Sequence, residues 1–217
     1  MSEFKVNGGL RALAAGMLGL MVAIALPLSA SAMKVVSDKT VTGFKFPESV
    51  GYDATAKVLY VGNFGSELKP AEKDGKGYIS KVSVDGQILE ERWAPAFGEI
   101  LNKPKGIWVQ GERMWTTDID AVWVFDTKTK KSKRLAIPGI EFANDPAIVG
   151  NTLYVTDNRA DALFSITPAD FMNTEPKIVM VWKGKGVNPN GIYPAKDGDV
   201  VICVATVPPF ELLHPRP

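Results

Sequence analysis

The sequence is poor in the residues that most often carry covalent catalysis or disulfide bonds. Among its 217 residues there is one cysteine, Cys203, and one histidine, His214. A single cysteine excludes an internal disulfide. A lone histidine close to the end of the sequence excludes a serine–histidine or cysteine–histidine nucleophile in the rest of it. The packed core must therefore hold the fold together, and chemistry must rely on carboxylates, amides or lysines.

An excess of charge of either sign is also missing. The sequence has 25 Lys and Arg residues against 24 Asp and Glu residues, which argues against nucleic acid or an anionic membrane surface as a partner. The one basic run, between residues 128 and 134, is typical of a solvated hairpin. No segment after residue 33 has a sustained helical period, so the pattern predicts an all-β fold.

The first 32 residues predict a secretory signal peptide. Lys5 and Arg11 precede an apolar run over residues 12–28, and Ala30, Ser31 and Ala32 provide the small residues of a cleavage site. A retained membrane anchor is the alternative, but the run is shorter than the ~20 apolar residues that span a bilayer. We expect a periplasmic or secreted protein that begins at residue 33 and has no stable membrane anchoring after cleavage.

A repeat runs through the remaining sequence. Apolar strand cores at residues 59–61, 114–116, 153–155 and 201–203 are spaced 55, 39 and 48 residues apart, and each follows a polar motif by ten to twelve residues. A period in this range, filled with short strands and turns, is typical of a β-propeller. The equivalent polar positions are Glu48, Lys105, Asn144 and Asn190. Radial repetition would bring these four residues together around one axis, and we call them the ring residues.

The repeat predicts four strands per blade and about three and a half blades within residues 33–205. Residues 206–217 break the pattern, and four prolines there are not expected to allow further ladder strands. We interpret this segment as an aberrant tail that results from truncation or a frameshift; a natural tail after a complete domain is the alternative. A partial propeller of this kind would expose apolar residues of its last blades, for which we expect Val200, Ile202, Val204 and Trp182.

The four equivalent polar residues suggest two different roles. Glu48, Asn144 and Asn190 offer oxygen ligands of the kind that suit Ca²⁺ or Mg²⁺ and can hold Mn²⁺ or Zn²⁺. Lys105 could bind an anionic substrate group or repel a metal. Alternatively, the three oxygen-bearing residues are turn or cap residues whose side chains bond nearby backbone N–H groups. The latter structural role is also expected at a second set of equivalent positions, Asn63, Asp118 and Asp157.

These motifs resemble those of the senescence-marker/gluconolactonase family, in particular its small exported bacterial members. The likeness runs over about residues 40–205 and depends on four segments taken in order: residues 46–50, 101–106, 142–145 and 189–191. It implies a six-bladed type of β-propeller with one divalent metal ion, Ca²⁺ before Mg²⁺, Mn²⁺ or Zn²⁺. It also implies a small-molecule lactone or ester as substrate.

The resemblance implies roles for three of the ring residues. Glu48 and Asn190 match metal ligands and Asn144 matches a substrate-binding residue; we add Lys105 to the substrate site because of its charge. The family's fifth-blade aspartate, a metal ligand and the favoured general base, has no counterpart before this sequence ends, so no catalytic residue is assigned. The arginine expected near the third-blade asparagine is not evident. The alternatives are a non-catalytic periplasmic propeller that binds a ligand or protein, and a non-functional gene product.

Overall fold

The computed structural model describes residues 39–195, 198–204 and 211–213. The predicted signal peptide and His214 lie outside these residues. The described part of the chain consists of strands, turns and loops, and it contains no helix of the length and apolarity that crossing a membrane requires. The all-β fold class predicted from the repeat is confirmed.

The strands form four antiparallel sheets, and in each sheet every strand pairs with its neighbours in the sequence. We call these sheets blades one to four. Blade one contains β1 Pro47–Asp53, β2 Val58–Asn63, β3 Tyr78–Ser83 and β4 Ile88–Ala94; blade two contains β5 Pro104–Gln110, β6 Arg113–Asp118, β7 Ala121–Asp126 and β8 Ser132–Ala136. Blade three contains β9 Ala143–Val149, β10 Thr152–Asp157, β11 Ala162–Thr167 and β12 Lys177–Lys183; blade four contains β13 Pro189–Pro194, β14 Val200–Val204 and β15 Glu211–Leu213.

The side-chain pattern of each strand follows its place in the blade. The middle strands of blades two and three are largely buried on both faces, because a neighbouring blade covers each side; in β7, the first five residues are all buried. Such strands read as continuous apolar runs instead of alternating ones. The outer strand β12 is largely exposed or half-buried. A turn at Asp85 and Gly86 joins β3 to β4, and Gly86 has the left-handed φ of 86° that glycine adopts without strain.

The core lies between blades. Tyr60, Trp115 and Tyr154 occupy equivalent positions in the second strands of the first three blades, and all three are buried. Each belongs to a cluster that continues into the following blade. For example, Tyr60 shares a cluster with Trp123 and Phe125 of blade two. Stability therefore comes from stacking adjacent blades, as expected for a fold built from repeats.

The register of blade four differs by one residue from the sequence prediction. Tyr193 pairs with Val201, just as Ala147 pairs with Tyr154 in blade three. Val201 is thus the equivalent of Tyr154, whereas the repeat had placed Ile202 there. Because successive side chains in a strand point to opposite faces, a slip of one residue exchanges the inner and outer sets.

The expected exposed face of blade four was therefore wrong. Val200 and Ile202 are 0% and 2% exposed because they pack against blade three. Trp182 is half-buried, and the side chain of Val204 lies outside the description. Tyr193, on the other face, is 67% exposed.

Proline does not prevent a further strand in the tail. β15 pairs antiparallel with β14, so that Val200 lies opposite Leu213 and Ile202 opposite Glu211. The strand occupies the proline-free stretch between Pro209 and Pro215. The expectation that the tail forms no ladder strand was wrong, because the prolines flank the paired residues and do not interrupt them.

A long loop between β2 and β3 is fastened to blade two by a buried lysine. The Lys103 side chain is 0% exposed, and its Nζ lies 2.7 Å from a carboxylate oxygen of Asp74. It also donates to the carbonyl of Phe64 at 3.1 Å. The backbone N–H of Gly75 donates to Asn102 at 3.2 Å. The loop is thereby held at the end of the blades where the innermost strands begin, since the end of β2 pairs with the start of β1.

Candidate functional site

The four ring positions occupy the same place in the structure. Glu48, Lys105, Asn144 and Asn190 are each the second residue of the innermost strand of a blade. The alignment deduced from the sequence is therefore confirmed for these positions. Their assignment as metal ligands or substrate contacts stays a prediction.

Each ring residue lies in a β-bulge. In blade three, Ala143 pairs with Asp157 and Pro146 with Val155, so Asn144 and Asp145 together lie opposite the single residue Thr156. The ladder shifts in the same way at the first strands of the other blades. Bulges of this kind redirect side chains and are common beside functional sites. The repeated bulge brings two consecutive residues of each blade to the ring, the second of which is glycine in blades two and four.

Hydroxyl groups link each bulge to the ring residue of the next blade. Thr117 donates to the carbonyl of Asn144, and Thr156 donates to the carbonyl of Asn190 at 2.6 Å. Blade one has glycine at this position, Gly62, and the hydroxyl of Ser49 replaces the missing donor by bonding the carbonyl of Lys105. Three ring carbonyls are thus fixed by the preceding blade.

Asn63, Asp118 and Asp157 have the structural role that the sequence predicted. Asn63 accepts a hydrogen bond from the backbone N–H of Lys45 at 3.1 Å. The carboxylates of Asp118 and Asp157 accept from the backbone N–H groups of residues 102–103 and 141–142. All of these N–H groups lie two or three residues before a ring residue. The side chains therefore hold the chain that enters each innermost strand.

Two carboxylates at the ring have raised pKa values. Part of the Glu48 residue is exposed to solvent. Burial of its carboxylate, together with the negative charge of Asp145, raises the pKa from 4.5 to about 7, and the positive charge of Lys105 acts in the opposite direction. Burial raises the pKa of Asp145 from 3.8 to about 6. Both groups can therefore exchange a proton near neutral pH, which is a property of functional carboxylates.

Lys105 lies below the surface of the ring. It is 1% exposed, and its Nζ lies 4.2 Å from the centre of the Phe142 ring. Burial lowers its pKa to about 8, although the charges of Asp118 and Glu48 act in the opposite direction. The guanidinium of Arg159 lies 4.6 Å from the centre of the same Phe142 ring. Lys105 thus affects the site through its charge, while the exposed Arg159 is the cation that solvent reaches.

The two ring asparagines differ in their surroundings. Asn144 is 4% exposed, and its Oδ1 has no hydrogen-bond partner among the described residues. A buried amide oxygen without a donor is costly and suggests a ligand. Asn190 is exposed. Its backbone carbonyl accepts the bond from Thr156 described above.

The donor set fits a hard divalent cation in part. Glu48 and Asp145 offer carboxylate oxygens and Asn144 an unpaired amide oxygen, which are the ligand types that Ca²⁺ and Mg²⁺ prefer. The positive charge of Lys105 opposes a metal. Among the described residues, no three His, Cys, Asp or Glu side chains cluster as metal ligands, so amide oxygens would have to complete the coordination.

Asp145 and Arg159 were not identified as site residues from the sequence. Asp145 stands next to Asn144 in an Asn-Asp pair, but the motif directed attention to the amide alone. The sequence does contain a signal for Asp145. The equivalent positions in blades two and four are Gly106 and Gly191, so of these three blades only blade three has a carboxylate at this position. Arg159 comes from the turn after β10 and is separated in sequence from the ring motif.

An open hollow of about 250 Å³ adjoins the ring at blade four. It is lined by Asp145 and by residues of blade four, namely Gly191, Ile192, Tyr193, Val201 and Cys203. Tyr193 and Val201 are the equivalents of Ala147 and Tyr154, which the following blade covers in blade three.

The solved structures that resemble this chain include the following three. A gluconolactonase from Xanthomonas campestris is 17% identical, with a TM-score of 0.56; the match covers 74% of this chain and 56% of that one. A putative 6-phosphogluconolactonase from Bacteroides uniformis is 13% identical, with a TM-score of 0.55; the match covers 81% of this chain and 58% of that one. A chain of a nidogen/laminin complex is 20% identical, with a TM-score of 0.58; the match covers 79% of this chain and 61% of that one.

No family model matches the sequence, and no curated relative matches it. The chain spans a little over half the length of the structures named above. Identities this low show the fold alone. The neighbours support a β-propeller, with lactonases among the proteins that share it, and do not single out the senescence-marker/gluconolactonase family.

Proposed function

We propose that this chain belongs to an exported, metal-dependent hydrolase of the sugar-lactonase type, built on a β-propeller. The observation that carries the proposal is the ring of bulged first strands, which brings the Glu48 carboxylate into electrostatic contact with Asp145 and Lys105. Lactonases among the structural neighbours support it.

In this proposal Glu48 and Asn190 hold one divalent ion, with Ca²⁺ as the first candidate. A bound divalent ion would supply Lewis-acid polarisation of a lactone carbonyl. The remaining work falls to residues of the chain. Asn144 lies on the substrate side, where its Oδ1 has no partner among the described residues, and Lys105 provides positive charge from below. A carboxylate with a pKa near 7, as for Glu48, can hold or release a proton at the pH of the periplasm.

The test is hydrolysis of a panel of sugar lactones by the full exported chain, followed with a pH indicator, with and without added Ca²⁺. We expect turnover that a chelator abolishes and that Glu48→Gln reduces by about 100-fold or more, the usual range for an acid–base group. Glu175→Gln is the matched control, because Glu175 is highly exposed and, within the described part of the chain, pairs with Lys133 alone. Absence of turnover with every lactone and metal would contradict the proposal.

A non-catalytic binding propeller is the second candidate. The apolar hollow beside Asp145 favours it, since its walls offer binding area but few polar groups for chemistry. The nidogen/laminin neighbour shows that the same fold occurs in a chain that was crystallised in a protein complex. Saturable binding of a lactone, measured by calorimetry and accompanied by no product, would support binding over hydrolysis.

A further inference from the structure

We propose that Asp145 is itself a ligand of a divalent cation, bound at the mouth of the ring together with the Oδ1 of Asn144 and the carboxylate of Glu48. The inference rests on the metal dependence of the proposed function, but it concerns binding and not turnover. It adds a carboxylate that the ligand set deduced from the sequence lacks.

Two adjacent side chains in blade three have oxygens that the protein leaves unused. The Oδ1 of Asn144 is buried and without a donor. Among the described residues, the hydrogen bonds of Asp145 involve its backbone groups only, with Thr156. The other buried or half-buried aspartates of the blades, such as Asp118 and Asp157, have their carboxylates saturated by N–H groups. Asp145 is therefore not a further example of the blade-tying aspartates.

Glycines on both sides make room for the Asp145 carboxylate. A Cβ atom at Gly106, in blade two, would lie 2.3 Å from Asp145 Oδ1. A Cβ atom at Gly191, in blade four, would lie 3.5 Å from Asp145 Oδ2. Both glycines occupy the bulge position equivalent to Asp145. The carboxylate thus extends between the bulges of the two adjacent blades, at the level of the ring.

The local charges favour a cation at this position. Glu48 and Asp145 repel each other, so a divalent ion between them would relieve that repulsion and satisfy the Asn144 oxygen. Lys105 and Arg159 are the cations on the same side; Lys105 is buried against Phe142, and Arg159 lies over the same ring. These two positive charges lower the affinity for a metal and favour a site with two carboxylates over one with a single carboxylate.

The experiment is titration of the full exported chain with CaCl₂ by calorimetry, supported by the shift of melting temperature on adding Ca²⁺. We expect Asp145→Asn to weaken Ca²⁺ binding about tenfold or more, since even groups outside the coordination shell contribute 10- to 100-fold in metal sites. Asn144→Asp should keep or tighten binding, because it places a carboxylate where the unpaired amide oxygen is. Glu175→Gln should bind as the unchanged chain does.

The outcomes separate this inference from the proposed function. Calcium binding that Asp145→Asn leaves unchanged, or the absence of calcium binding to the unchanged chain, would overturn the inference. If Asp145→Asn weakens binding and no lactone is hydrolysed, the cation site stands and the hydrolase proposal falls. If hydrolysis requires metal but Asp145→Asn binds it normally, the hydrolase proposal stands and this site falls. Circular dichroism of each variant verifies that it is folded.

Discussion

Replacing Asp145 with asparagine should stabilise the metal-free protein, although it removes a candidate functional group. The carboxylate is half-buried, and burial raises its pKa from 3.8 to about 6. A carboxyl group with a raised pKa in the folded state stabilises that state when it is protonated. This contribution is fully present below about pH 4, is lost as the pH rises from about 4 to about 6, and changes little above that.

The size of the effect follows from the pKa. One pKa unit corresponds to about 1.4 kcal/mol, so a rise from 3.8 to about 6 costs the folded state up to about 3 kcal/mol at pH 8. Partial access of solvent reduces this value, and we expect about 1–2 kcal/mol of stabilisation from Asp145→Asn at pH 8. The gain should vanish at pH 4, where the native carboxyl is already protonated.

Urea unfolding at pH 4, 6 and 8 in the presence of a chelator measures this difference. The free energy of unfolding of Asp145→Asn should exceed that of the unchanged chain at pH 8 and, by most of the same amount, at pH 6, but not at pH 4. Added Ca²⁺ should reduce or reverse the advantage. A variant that is less stable at pH 8, or equally more stable at both pH extremes, would refute the reasoning, because the carboxylate would then be compensated in the folded state.

Three further predictions concern the framework of the blades. Asp74→Asn should destabilise the fold by about 3–5 kcal/mol, because it leaves the buried Lys103 amine without its charged partner. Burial alone would raise the pKa of Asp74, but hydrogen bonds from Lys103 and neighbouring groups lower it to about 2. In denaturant titrations at each pH, the unchanged chain should therefore lose this stabilisation only as the pH falls from about 4 towards 2. Thr117→Val should cost about 1–3 kcal/mol in urea unfolding, since it removes the donor to a ring carbonyl, while Thr117→Ser should cost clearly less. Tyr52 and Tyr193 are 52% and 67% exposed at positions that neighbouring blades cover elsewhere, so this chain should self-associate in analytical ultracentrifugation, and Tyr193→Lys should weaken that association. A monodisperse monomer at micromolar concentration would contradict this prediction.

The blades and the ring could be predicted because two signals agreed. Strand cores with aromatic residues such as Tyr60 and Tyr154 recur with a polar residue at a nearly fixed distance before them. The second signal is the aspartate or asparagine three residues after the core position, as at Asp118 and Asp157. Both signals depend on local sequence, and both reflect contacts that every blade repeats.

Blade four was misaligned because the second signal is missing from it. The structural equivalent of Asp157 is Val204, so no acid marked the register, and the apolar run 200–204 could be placed one residue away. The backbone N–H groups that such an acid would hold, those of Val187 and Asn188, are bound by Asp161 of blade three. This substitution is a contact between blades, which the sequence of a single repeat cannot reveal.

The site could be predicted only as a set of positions. The sequence identified which residues start the innermost strands, but the chemical role of each residue depends on the burial and the charges around it. Burial of Lys105 under Phe142 and the unused oxygens at Asn144 and Asp145 are tertiary effects. Likewise, the strand formed by residues 211–213 arises because an edge was available for pairing, which the proline content of the tail does not report.

The hydroxyl links between blades have a consequence for protein engineering. Because the ring carbonyls of Lys105, Asn144 and Asn190 are each held by a donor from the preceding blade, blades of this protein are not interchangeable modules. A transplanted blade would need a predecessor with Thr opposite the bulge, or the Gly62 and Ser49 pair that replaces it. In blade four the equivalent position is the exposed Cys203, whose thiol is a weak donor. A tandem fusion that places another blade after it should begin with Cys203→Thr.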